Sequence, residues 1–257
     1  MNWIAHGAAY GGAVVWWWPI AAAVLGLVAG QAANMAASYL PSDEPFCWPL
    51  APCPACGGRG RASDALSIVG WFRRRGQCAR CRARLPVLAP AVELCNAALW
   101  AMLVFQQGPS IRTALLMLFV TALIALIVID YHHYLLPDAI TLPGIVAGVA
   151  ACWIPGWPVS LLDSALSAGV GYFAMMALAK AAEMYYGEEA LGQGDWKMVA
   201  MLGAFLGATR AMATVLVANG AGALFGLLLV ATLGEKGRQK LPLGTFLGAA
   251  GIAVVFW

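Results

Sequence analysis

Apolar residues run along this chain in blocks of about 20, the length an α-helix needs to cross the hydrocarbon of a bilayer, and polar residues collect at the joints. The blocks lie near 13–36, 87–106, 111–130, 138–155, 160–180, 196–210, 211–233 and 243–257. They predict an all-α polytopic membrane protein of about eight transmembrane helices. Glycine and proline mark several joints, as in Trp153-Ile154-Pro155-Gly156-Trp157-Pro158, and the two spans of 196–233 are the hardest to separate. The tryptophans of that joint, like Trp16-Trp17-Trp18, suit a membrane–water interface. No basic segment precedes the opening block and no small-residue cleavage site follows it, so a retained helix is expected. The pattern divides the chain into a first transmembrane helix in 1–40, one sizeable polar segment in 41–86, and a transmembrane domain in 87–257.

Composition agrees, with 62% hydrophobic and 11% charged residues, and excludes a soluble globular domain. The remaining charge orients the helices, because Lys and Arg gather in cytoplasmic loops. With eight spans and an outside N-terminus, the inside segments hold Arg59, Arg61, Arg73, Arg74, Arg75, Arg80, Arg82 and Arg84 in 41–86, and also Lys180, Lys197, Lys236, Arg238 and Lys240. Of the fifteen basic residues only Arg112 and Arg210 are left outside.

The cytoplasmic segment 41–86 carries Cys53-Pro54-Ala55-Cys56 and Cys78-Ala79-Arg80-Cys81, two C-x-x-C pairs with 21 residues between them. That spacing matches a four-thiolate zinc site, each pair forming one knuckle. The alternative of two disulfides conflicts with a reducing compartment. Four thiolates leave no open coordination position, so the zinc is expected to be structural, supplying folding energy to a loop with little core of its own. Cys47, Cys95 and Cys152 fall outside the pattern and read as small apolar fillers.

Two acids stand at the edges of apolar blocks, Asp130 in IDYHHYLLPD and Asp195 in LGQGDWK. An ionisable group there carries a penalty of roughly 2.5–3.5 kcal/mol on insertion scales and marks a candidate site. The orientation places both at cytoplasmic ends of their spans. Asp130 ends its block and cannot cap the helix it terminates, since a carboxylate at a helix C-terminus meets the unfavourable end of the dipole. Asp195 has a rival reading as an N-cap, but a cap alone does not explain Gly192 and Gly194 on either side of Gln193. Those glycines permit close backbone approach and unusual dihedrals, which would let an extended substrate segment lie against the loop. Asp138, beside Pro137, reads as the N-cap of the next span. Lys197 either acts on Asp195 or marks the cytoplasmic boundary, and His132 and His133 read as residues meeting interfacial water.

Two close carboxylates titrate as a pair sharing one proton. In the aspartic-protease arrangement one of them takes a proton from the attacking water while its protonated partner hydrogen-bonds the scissile carbonyl. The chain contains no G-x-S-x-G, H-E-x-x-H or Walker loop. A proton-coupled transporter would also place Asp residues in a bundle, yet no internal repeat is visible and the acids lie at a boundary. A non-enzymatic zinc-loop scaffold would account for the cysteines and leave both acids without a purpose.

Taken in order, GQAANMAASYLP (30–41), the paired C-x-x-C loop, PAVEL (90–94), IDYHHYLLPDAITLP and LGQGDWKMVAMLGAFLG resemble the bacterial type IV prepilin peptidases, GxGD-type intramembrane aspartic proteases that also N-methylate their product. The resemblance implies that Asp130 and Asp195 are the catalytic pair, supported by the loop of Gly192, Gly194 and Lys197. It implies that Cys53, Cys56, Cys78 and Cys81 hold zinc, and that 87–257 is the peptidase domain. It further implies a bacterial inner-membrane location with a cytoplasm-facing site, prepilin or pseudopilin substrates, membrane lipid as surroundings and no nucleic-acid partner. S-adenosylmethionine is the implied methyl donor. Departures fall in the N-terminal part: Gln31-Ala32-Ala33 precedes Asn34 where Ser-Phe-Leu is usual, Ser38-Tyr39-Leu40-Pro41 replaces a Tyr-Arg-Leu-Pro ending, and Val87-Leu88-Ala89-Pro90 stands where Arg-Tyr-Pro is common. No G-x-G-x-x-G follows a plausible strand. Glu183, Glu188 and Glu189 read as a solvated acidic loop, with attraction of a cationic leader by charge as the alternative.

Overall fold

The computed structural model describes residues 17–41, 53, 55–58, 67–78, 80–186, 192–233 and 241–257. Eight helices account for most of them: α1 (Trp17–Tyr39), α2 (Ser67–Arg73), α3 (Leu88–Gln107), α4 (Ile111–His133), α5 (Asp138–Ala151), α6 (Leu161–Tyr186), α7 (Gln193–Leu233) and α8 (Leu243–Val255). Five of these, α1, α3, α4, α6 and α7, are long and apolar enough to cross a membrane, and α5 and α8 are shorter apolar helices. Backbone groups have no water to bond within hydrocarbon, so an apolar chain of this kind must satisfy them inside helices. The fold is an all-α polytopic one, as the block pattern predicts. The small helix α2, inside the polar segment, has no counterpart in that pattern.

The chain forms two compact units, Met1–Thr121 and Ala122–Trp257. In the first, α1 packs on α3 through glycines. A Cβ on Gly26 would lie 2.8 Å from the Ala97 Cα, and one on Gly30 would lie 2.7 Å from the Glu93 Cα. Small residues four apart let helix backbones approach this closely. Polar bonds then fix the register: Asn96 Nδ2 donates to the Gly26 carbonyl at 2.8 Å and Asn34 Nδ2 to the Ala89 carbonyl at 2.9 Å.

In the second unit, α7 is a helical hairpin rather than one long rod. Its 41 residues would extend about 60 Å as a continuous helix, twice the hydrocarbon thickness. At Gly207 the backbone leaves the helical region, with φ 74° and ψ 174°. The limb before it runs parallel to α8, since Gly248 faces Met198 and Gly251 faces Leu202. The limb after it runs antiparallel, since Gly222 faces Phe246 and Gly226 faces Leu241. Asp163, in the first turn of α6, accepts the Ala208 N–H at 3.2 Å and the Ser167 hydroxyl at 3.0 Å, so it caps the new limb from another helix. The expected separation of 196–210 from 211–233 therefore occurs a few residues earlier. Leu123, Leu126 and Ile129 of α4, Met198, Met201 and Leu202 of α7 and Leu247 of α8 are fully buried. Leu216, Val217, Leu224, Leu227 and Leu228 of the outgoing limb are exposed, as suits a lipid-facing surface.

Candidate active site

Asp130 lies three residues before the end of α4 and is only 5% exposed. It does not cap its own helix. Its Oδ2 accepts the backbone N–H of Thr245 at 2.6 Å and the Thr245 hydroxyl at 3.1 Å, both in the first turn of α8. The N-cap residue of α8 is Pro242, whose side chain offers no acceptor. The carboxylate of another helix supplies what Pro242 cannot, and the dipole at the N-terminus of α8 favours it there. Gly244 makes the approach possible: a Cβ at that position would stand 2.9 Å from the Asp130 Cγ.

Asp195 sits in the first turn of α7 and is also buried. Its N–H donates to the Gly192 carbonyl at 3.1 Å. Leu136, from the connection between α4 and α5, packs on Gly194, the residue before Asp195, and on Gly244, which lies against Asp130. A Cβ on Gly194 would meet the Leu136 Cβ at 2.6 Å, and one on Gly244 would meet its Cδ1 at 3.0 Å. The space freed by Gly194 is therefore taken by this chain's own Leu136, not left for an extended substrate. Neither Gly192 nor Gly194 has a positive φ, so the unusual dihedrals expected of them are not found.

Lys197 does not turn to Asp195. Its Nζ binds both oxygens of Asp138, at 2.6 and 2.7 Å, joining the first turns of α7 and α5. Asp138 makes no capping bond to its own helix, contrary to expectation, because the ammonium engages its carboxylate. His132 and His133 are exposed; the His132 Nδ1 pairs with the Val128 carbonyl of α4 at 2.9 Å. Tyr134 holds φ 53° and its N–H donates to the Asp130 carbonyl, which stops α4 just past the acid. Glu183 pairs with Lys180 at 2.7 Å, while Glu188 and Glu189 lie outside the described residues. Sequence reasoning missed Thr245 and Leu136, which neighbour the acids only in space.

The four cysteines come together as two matched knuckles. In each, the first cysteine's N–H donates to the carbonyl five residues on, Gly58 for Cys53 and Ala83 for Cys78. Its carbonyl accepts from the residue four on, Gly57 or Arg82, and each of these has a positive φ, 62° and 58°. All four sulfurs lie within 4.8 Å of one another, with Cys53–Cys81 at 3.9 Å and Cys56–Cys78 at 4.0 Å. Tetrahedral Zn–S bonds of ~2.3 Å require S···S separations of roughly 3.8 Å, so the donor set fits one metal ion. The backbone N–H groups of Cys81 and Arg80 pull the Cys78 thiol down to about 6. Against the pull of the Ala83 N–H, burial and the neighbouring thiols push Cys81 up to about 11, so in the metal-free cluster the first thiolate forms at Cys78. Of the remaining cysteines, Cys95 is exposed on α3 and Cys152 lies beside the Gly148 carbonyl; Cys47 lies outside the described residues. Glu93 of α3, fully buried, accepts the Ile68 N–H at 2.8 Å and so ties α2 to α3.

Residues 117–227 match the type IV leader peptidase family, and residues 24–107 match the bacterial peptidase A24 N-terminal domain. A prepilin leader peptidase/N-methyltransferase of Pseudomonas putida is 34% identical over 212 residues, 82% of this chain and 73% of that protein. One from Aeromonas salmonicida is 31% identical over 229 residues, 86% of this chain and 78% of its own. One from Aeromonas hydrophila is 32% identical over 218 residues, 84% and 75% of the two. No solved structure matches the chain.

Proposed function

The chain belongs to the type IV leader peptidase family, and on that premise we propose that it is a prepilin leader peptidase and N-methyltransferase working by a two-aspartate mechanism. It cleaves the basic leader of type IV prepilins and type II secretion pseudopilins at the cytoplasmic face of the bacterial inner membrane, then methylates the exposed amine. The observation that supports this reading is a pair of buried carboxylates, far apart in sequence, near the ends of α4 and α7, whose neighbours Gly244 and Gly194 pack on the same residue, Leu136.

Two such acids hold one proton between them more readily than none. The ionised one removes a proton from a water molecule, whose oxygen bonds to the scissile carbonyl carbon. The protonated one donates to the carbonyl oxygen as charge develops there. Collapse of the tetrahedral species breaks the C–N bond and passes a proton to the leaving amine. A prepilin fits this depth, having a cationic leader in the cytoplasm and an apolar helix in the bilayer. S-adenosylmethionine would supply the methyl group for the second reaction. Cys53, Cys56, Cys78 and Cys81 would hold a structural zinc, all four positions being filled by sulfur.

Asp130→Asn and Asp195→Asn test the mechanism. Each keeps an acceptor oxygen, so the amide side chain at position 130 can still cap α8 while losing the acid–base function. Purified in detergent with a prepilin substrate, each variant should cleave at least ~10²–10⁴-fold more slowly than wild type. Wild-type cleavage by either folded variant would sink the dyad. A shared proton also predicts a bell-shaped dependence of kcat/KM on pH.

A further inference from the structure

Oδ2 of Asp130 receives two donors from one residue, Thr245, while among the described residues no hydrogen bond reaches Oδ1. The torsion that rotates a carboxylate about its Cβ–Cγ bond is soft and has no sharp rotamer of its own. Two donors on the same oxygen, one from the backbone and one from the hydroxyl, remove that freedom. The Thr245 hydroxyl has a single proton and two acceptors near it, Oδ2 at 3.1 Å and the Ile127 carbonyl at 3.4 Å. The carboxylate is nearer and is the stronger acceptor. The glycine before it closes the arrangement: with Gly244 lacking a Cβ, the first turn of α8 lies directly against the Asp130 Cγ. Residue 245 falls beyond the stretch matched to the peptidase family, 117–227.

We propose that Thr245 is a positioning residue of the dyad, clamping Asp130 through Oδ2 so that Oδ1 is the oxygen that meets water and substrate. The inference rests on the two-aspartate reading of the site. It adds a division of labour between the oxygens: one belongs to the fold, as the cap of α8, and the other belongs to the reaction. A helix cap and a reactive acid thus share one side chain. The backbone N–H keeps part of the clamp in any variant, and the hydroxyl fixes the rest.

The test compares full-length wild type, Thr245→Val, Thr245→Ala, Thr245→Ser and Asp130→Asn in detergent, measuring kcat, KM and thermal unfolding with a prepilin substrate. Val keeps the shape and removes the hydroxyl; Ala removes both and serves if Val fails to fold. The hydroxyl-free variants should lose about tenfold in kcat, the effect of one hydrogen bond to a charged group, with KM within about twofold. Thr245→Ser should recover wild-type kcat to within about threefold, since it restores that bond. If Asp130→Asn is inactive while Val and Ala both turn over at the wild-type rate, or if they change only KM or thermal stability, the clamp is overturned and the dyad stands. If Asp130→Asn cleaves like wild type, the dyad itself falls and takes the clamp with it.

Discussion

Gly192 and Gly194 flank the same glutamine, yet the structure gives them different surroundings. A Cβ on Gly194 would enter Leu136 at 2.6 Å, whereas one on Gly192 would meet, among the described residues, only an Asp195 oxygen at 3.6 Å, an ordinary contact. Overpacking of the first kind costs about 1–3 kcal/mol and displaces a neighbour. Here the neighbour is Leu136, which also packs on Gly244 beside Asp130, so the displacement reaches the site. Gly194→Ala should therefore reduce cleavage by at least about tenfold, and Gly192→Ala should stay within about twofold of wild type. Equal rates for the two variants in the prepilin assay would remove Leu136 from the account. At this scale the acids and cysteines were legible because their chemistry is improbable where they stand. Leu136 and Thr245 were not: one is an ordinary leucine in a short connection, and the other lies 115 positions from the carboxylate it holds. For Lys197 the sequence left open an action on Asp195 or a boundary role; its ammonium points instead across to Asp138 of α5.

Elements are held in register around the site by polar links between their ends. Lys197 and Asp138 join the first turns of α7 and α5, with side chains 21% and 55% exposed. Solvent screens such a pair, so its worth in stability is at most about 1 kcal/mol. The link also ties the end of α7 that carries Asp195 to the start of α5. Lys197→Met or Asp138→Asn should shift thermal unfolding little and lower kcat several-fold, and the exchanged pair Lys197→Asp with Asp138→Lys should recover part of the loss. A double variant no faster than either single one would reduce the link to a surface ion pair. Gly207 is the second element-scale case. Its φ of 74° excludes most side chains, and a Cβ there would stand 2.5 Å from Asp163 Oδ2, on the carboxylate that caps the outgoing limb. Gly207→Ala should cost about 2 kcal/mol or more, read as an earlier unfolding midpoint in detergent. Block length alone located most helices. It placed the division of α7 at 210/211 because Gly207 is one of many glycines in an apolar run, and only the cap from α6 singles it out. Likewise α5 ends at Ala151, short of the predicted 155, where the chain turns through Cys152 and Trp153.

For the molecule as a whole, the division into Met1–Thr121 and Ala122–Trp257 separates two kinds of support. Among the described residues, Leu136, Asp138, Lys197, Gly244 and Thr245 around the acids belong to the second unit, and the cysteine cluster belongs to the first. Among the described residues, the cluster is held by its sulfurs, by local backbone bonds and by the tie from Glu93 to α2. The hydrogen bonds of its two knuckles close short local loops, and α2 has only seven residues. A metal bound by the four cysteines would supply folding energy to that segment. Removing the metal with a chelator, or replacing Cys53 and Cys78 with Ser, should abolish hydrogen-exchange protection of the Gly57, Cys78 and Arg82 amides. The amides at the starts of α7 and α8 should keep theirs. Cleavage should persist within a few-fold of wild type, because no group that holds Asp130 or Asp195 has been touched. A collapse of cleavage while Thr245 and its neighbours stay protected would mean that the cysteine segment takes part in the peptidase reaction itself, through substrate and not through the fold. Loss of protection in both units would mean instead that the metal stabilises the second unit too, and that the partners named above are not sufficient to keep the acids in place.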